Sequence, residues 1–142
     1  MIKTRLWHYQ LIPALPNKML VAQWRECIAI KRQWEKGTLK HRLVSYVIDY
    51  DKEMFLCYVQ LVIEELNKRK IRYNTDLSDE LFDFCYSGIN TALFIPYPEH
   101  NNKYLKQCYY NLQEKYDRGI LTREEFNKVF DRCKDTINIS KF

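Results

Sequence analysis

Only three glycines occur in the 142 residues, and each follows a stretch with helical spacing of apolar side chains. Gly37 follows "NKMLVAQWRECIAIKRQWEK", Gly88 follows "DLSDELFDFCYS" and Gly119 follows "NNKYLKQCYYNLQEKYDR". Glycine just past the last periodic residue is a helix stop. The four prolines, Pro13, Pro16, Pro96 and Pro98, fall outside these stretches. The spacing therefore predicts a first helix from Pro16 to Gly37, a second capped by Asp51 and running through "KEMFLCYVQLVIEELNKRK", a short one ending at Gly88 and a long one ending at Gly119. A last helix opens on Thr122 and Glu125, whose spacing is that of a capping box. Only "SYVIDY" alternates like a strand, and a lone strand has no partner to pair with. The expected class is all-α: one compact helical bundle over residues 1–142, with a long irregular loop around "FIPYPEH" and no linker, low-complexity tract or repeat.

With 46% apolar residues the chain can bury a substantial core. Leu20, Trp24, Cys27 and Ile28 share the inward face of the first helix. Met54, Tyr58, Leu61, Val62 and Leu66 do so in the second, Leu105, Cys108 and Leu112 in the long helix, and Phe126, Val129, Phe130 and Cys133 in the last. The five cysteines, Cys27, Cys57, Cys85, Cys108 and Cys133, stand 23 or more residues apart, which suits buried, reduced thiols rather than a metal clip or a disulfide framework. His8, His41 and His100 are each expected as a surface or satisfied core histidine. There is no glycine-rich phosphate loop, zinc-ligand pattern or Gly-x-Ser-x-Gly elbow. The opening lacks the features of a signal peptide and no run approaches a membrane span, so a cytoplasmic location is expected.

The net charge of +5 is unevenly placed. Residues 1–42 hold nine Lys and Arg against Glu26 and Glu35, a balance of +7, and the rest of the chain sums to −2. A basic end on a nearly neutral body suits a polyanion, with nucleic acid ahead of a membrane because no basic amphipathic anchor is present. On the first helix Lys18, Ala22, Arg25, Ala29, Arg32 and Lys36 form a stripe in which small residues alternate with cations, so a phosphate backbone can approach closely. Arg25 and Glu26, about 100° apart on the helix, place the carboxylate between this stripe and the core. From the residues alone Glu26 is open to two readings: a proton-transfer or cation-stabilising group for something bound on the basic face, or a surface partner of a neighbouring Lys or Arg.

In order along the chain, "RLWHYQLIPALPNKMLVAQWRECIAI", "KH" at 40 and 41, "YDKEMFLCYVQLVIEELNKRK" and "YPEHNNKYLKQCYYNLQEK" resemble the pyrimidine-dimer DNA glycosylase family over residues 4–118. The resemblance implies an all-α enzyme without metal or cofactor. Such an enzyme removes a damaged pyrimidine from double-stranded DNA and then nicks the abasic sugar through an imine formed with its own terminal amine. It assigns the catalytic glutamate to Glu26 and the amine-bearing threonine to Thr4. DNA contacts fall to Arg5, Arg25, Arg32, His41 and Lys115, and the protein is expected to act as a monomer. Three features depart from the family's phage member: Ala29 and Asn111 replace arginines that contact DNA, its aromatic-rich tail has no counterpart, and Met1, Ile2 and Lys3 precede Thr4. The rival readings are a catalytically silent DNA-binding protein with the same basic face, and a helical protein-interaction module.

Overall fold

The computed structural model describes residues 5–86 and 96–139. Thr4, Gly88 and the first part of "FIPYPEH" lie outside them. Five α-helices carry the fold: α1 (Asn17–Glu35), α2 (Lys52–Lys68), α3 (Thr75–Cys85), α4 (Asn102–Asp117) and α5 (Arg123–Ile139). There is no strand among the described residues, so the all-α expectation holds. "SYVIDY" forms a 3₁₀ turn, Ser45–Asp49, with Val47 buried.

Three helices end by the same chemistry. After α1, Gly37 donates to the Trp34 carbonyl and Thr38 to Gln33; after α4, Gly119 donates to Tyr116 and Ile120 to Lys115. Both glycines are left-handed, with φ of 69° and 79°. This pair of bonds satisfies carbonyls that the helix itself leaves without donors. α2 ends in the same way, with Lys70 donating to Asn67 and Ile71 to Leu66, but here a lysine takes φ 58°. A side chain in that region costs about 1–2 kcal/mol, so this stop is made against the local preference and without the glycine that marks the other two.

The chain divides into two compact units, one of residues up to 6 with 21–96 and the other of 7–20 with 97 onward. α1 contributes its first turn to the second unit and the remainder to the first. In the first unit α2 is the central element. Phe55, Leu56, Cys57, Tyr58 and Val59 are five consecutive buried residues, so the helix is apolar around its circumference at this level and not along one stripe. The cause is company on more than one side: α2 packs against both α3 and the 3₁₀ turn. Trp34 of α1 meets Phe55 at 6.0 Å and Phe84 at 5.6 Å, and Lys52 Nζ lies 4.0 Å over the Phe84 ring. Trp24 packs edge-on to Tyr73 at 5.4 Å.

In the second unit α4 and α5 pack on each other through Leu105, Cys108, Leu112, Val129 and Cys133, all buried. The capping box forms as its spacing requires: Thr122 N donates to Glu125 Oε1 at 2.8 Å and Glu125 N to Thr122 Oγ1 at 3.1 Å. Phe130, expected inward, is 40% exposed. The buried stripe runs through Val129, Cys133 and Ile137, and Phe130 flanks it, meeting Tyr109 at 6.4 Å. A 3₁₀ segment, Tyr9–Ala14, packs against α5, with Arg132 Nε donating to the Gln10 carbonyl.

Candidate functional site

The outward face of α1 forms one wall of a groove of about 760 Å³ within the first unit. Ala22, Arg25, Ala29, Arg32 and Lys36 line it, together with Trp24, Glu26, Ile28, Gln33, Thr38 and, from α3, Leu77. The small-and-basic stripe of the sequence is thus an accessible surface: Arg25, Arg32 and Lys36 are exposed, and none has an ion-pair partner among the described residues. Glu26 opens into the same groove and is only 8% exposed. A carboxylate so withdrawn from water, in a groove that three cations also line, combines a place for an anionic strand with a group able to accept a proton or face a developing positive charge.

Of the nine cations counted at the basic end, Arg25, Arg32 and Lys36 line this groove; Lys18 and Lys31 are engaged elsewhere. Lys31 is buried and held by Glu35 at 2.6 Å and Glu80 at 3.9 Å, and Lys18, in the second unit, donates to the Ile120 carbonyl. Arg5 does not line the groove, but its backbone carbonyl accepts from Nε2 of Gln23, one helical turn before Glu26. Gln23 is completely buried and was not among the expected site residues, because nothing in its local sequence distinguishes it from a surface glutamine. His41 is half-buried in the turn after α1, where its Nδ1 accepts from Leu43 N at 3.3 Å; it does not line the groove. Lys115 is half-buried in the last turn of α4, in the second unit. Thr4 lies outside the described residues. Among the described residues there is no cluster of three metal-ligating side chains, and no helix is long and apolar enough to cross a membrane.

The cysteines are free and buried. Cys27, adjacent to Glu26, has its thiol pushed well up by burial first and by the Glu26 charge second, so it offers no thiolate to the groove. The Cys85 and Cys133 thiols are pushed up to about 12, again chiefly by burial.

His8 and His100 are brought together in the second unit, their rings stacked at 5.5 Å and both nearly inaccessible. His8 Nδ1 accepts from Gln10 N at 3.1 Å, and His100 Nδ1 accepts from Tyr9 N at 3.2 Å. Burial lowers His8 to about 4 against the opposing backbone hydrogen bonds at His100 and Asn101; burial and then the nearby His8 lower His100 to about 3. Both are satisfied core histidines, held neutral. An unfolded imidazole titrates near 6.5, so the unfolded chain takes up protons first as pH falls. The contribution is complete above pH 6.5 and is lost on descent toward 4 and 3. By pH 5 the loss is about 2 kcal/mol per histidine. Thermal melts between pH 7 and 5, a range that spares most carboxylates, are expected to show a falling Tm that flattens in His100→Phe; a pH-independent Tm in the unmodified protein would contradict the neutral pair.

No curated protein and no solved structure matches this chain. The family described as pyrimidine dimer DNA glycosylase does match, over residues 4–80. That stretch covers more than half of the chain and includes Arg5, Gln23, Arg25, Glu26, Arg32 and His41, but not Lys115. With a match over more than half of its length and an all-helical architecture, the chain belongs to the pyrimidine dimer DNA glycosylase family.

Proposed function

We propose that the protein removes damaged or modified pyrimidines from duplex DNA and then opens the abasic site, using its terminal α-amine, ahead of Arg5, as nucleophile and Glu26 as the proton-handling carboxylate. The amine lone pair attacks C1′ of the sugar. The C1′–N glycosidic bond breaks with its electron pair leaving on the base, which takes up a proton. Opening of the sugar ring gives an imine; loss of the C2′ proton then expels the 3′ phosphate by β-elimination. Glu26 supports the positive charge that develops at C1′ and relays the protons of these steps.

The observation that carries this reading is the convergence on one groove of Glu26 with Arg25, Arg32 and Lys36. Arg25 and Arg32 grip the strand on which Glu26 acts, and Ala22 and Ala29 leave room for the backbone between them. His41 and Lys115 supply further phosphate contacts. Extruding the nucleotide costs a few kcal/mol, less where a lesion has already weakened stacking, so damaged positions are the cheapest to engage.

Binding to lesion-bearing duplex is therefore expected to fall steeply with salt. Arg25→Ala and Lys115→Ala should each weaken it and lower the magnitude of the log–log salt slope by about 1. Affinity and slope unchanged in both variants would remove both residues from DNA binding.

A further inference from the structure

Gln23 presents a buried amide whose hydrogen bonds can be assigned by chemistry. Its Nε2 faces the Arg5 carbonyl at 3.2 Å and its Oε1 faces the hydroxyl of Tyr58, on α2, at 2.9 Å. A carbonyl can only accept, so the amide nitrogen must be the atom turned to Arg5. The amide oxygen is then turned to Tyr58, and the tyrosine hydroxyl must donate. Gln23 has no exposure and Tyr58 has 1%, so water cannot take over either role. The result is a chain of two hydrogen bonds from α2 through α1 to the backbone of Arg5, linking positions 35 and 18 residues apart in sequence.

We infer that Gln23 and Tyr58 are positioning residues: through the Arg5 carbonyl they fix where the start of the chain can bring an amine to the Glu26 groove. This rests on the amine-nucleophile reading above. Covalent geometry keeps the nitrogen of residue 4 within about 7 Å of the Arg5 carbonyl. Gln23 and Glu26, three residues apart on a helix, are neighbours with Cβ atoms about 5–6 Å apart. For an amine borne by residue 4, or folded back to that place, an anchor at Arg5 is therefore close enough to set its distance from sugar and carboxylate, and a misplacement of about 1 Å can cost about 10²-fold in rate. Tyr58 acts at one remove, since without its donated hydrogen the Gln23 amide loses one of the contacts that hold its orientation. A neutral amide suits the position because it adds no charge beside Glu26.

The test uses the full chain with Tyr58→Phe and Gln23→Leu. Three quantities are compared with the unmodified protein: Tm, affinity for a duplex holding a tetrahydrofuran abasic analogue, and the single-turnover rate of borohydride-trapped adduct on a natural abasic site. Both variants are expected to bind within about twofold of the unmodified protein, with adduct formation slowed about 10-fold by Tyr58→Phe and about 100-fold by Gln23→Leu. A purely structural role would instead lower Tm and affinity along with rate. Adduct formation at the unmodified rate in folded Tyr58→Phe and Gln23→Leu, or a loss of rate no larger than the loss of affinity, would overturn the positioning role alone. Should Gln23→Leu not fold, Tyr58→Phe decides by the same criteria. If only a chain beginning at Thr4 forms the adduct, the two substitutions are compared in that chain by the same criteria; absence of adduct from both chains would overturn the amine reading and this one with it.

Discussion

Glu26→Gln is expected to keep the fold and the affinity for lesion DNA while lowering turnover by about 10²- to 10⁴-fold. The side chain is nearly isosteric with glutamate, so the surroundings of an 8% exposed position are little disturbed. What is lost is the negative charge and the ability to take up a proton. Both matter when a positive charge builds at C1′ and a proton must leave C2′ during elimination. Strand binding should survive because Arg25, Arg32 and Lys36, the groove's cations, remain, and one carboxylate fewer beside the phosphates does not oppose it. A glutamate that merely paired with a neighbouring cation would show the opposite pattern, with altered stability and normal turnover. Wild-type cleavage by Glu26→Gln, measured in single turnover on a duplex carrying a pyrimidine dimer, would remove this residue from the chemistry.

A chain beginning at Thr4 is expected to be trapped by borohydride on abasic DNA at least as well as the full sequence, and a chain with an acetylated terminus is expected to give no adduct. An α-amino group has a pKa of about 7.7–8.0, against about 10.4 for lysine. Near neutral pH a substantial fraction of the former is free to attack and very little of the latter, so Lys3 is a poor substitute. Met1, Ile2 and Lys3 ahead of Thr4 can carry an amine roughly 10 Å away if extended. An amine on Met1 therefore needs the chain to fold back, or Thr4 must be exposed by proteolysis. Failure of both the full chain and the Thr4 chain to form an adduct with any abasic or damaged duplex would make the silent DNA-binding protein the better reading, with the same groove serving as a phosphate-binding surface. Adduct from the acetylated chain would move the nucleophile to a side chain.

The sequence by itself determined what depends on neighbours a few residues away. Helical spacing located the five helices, glycine at positions 37 and 119 marked two of their ends, and Thr122 with Glu125 marked the start of α5. The basic stripe on α1 was readable for the same reason, because residues three and four apart share a helix face whatever the rest of the chain does. The spacing carried α2 to Lys70, two residues past its end at Lys68, but the form of the stop was not readable: a left-handed lysine carries no local signal, and tertiary packing must offset its cost. Nor was the burial of α2 around its circumference, which depends on what packs against each side. The stack of His8 on His100 and the links from Arg5 to Gln23 to Tyr58 join side chains far apart in sequence. Gln23 passes for a solvated residue in a linear reading, and for Tyr58, His8 and His100, even where a core place was expected, no local signal names the partner. Only the fold removes water from them, and once water is gone each donor and acceptor must find its partner within the protein.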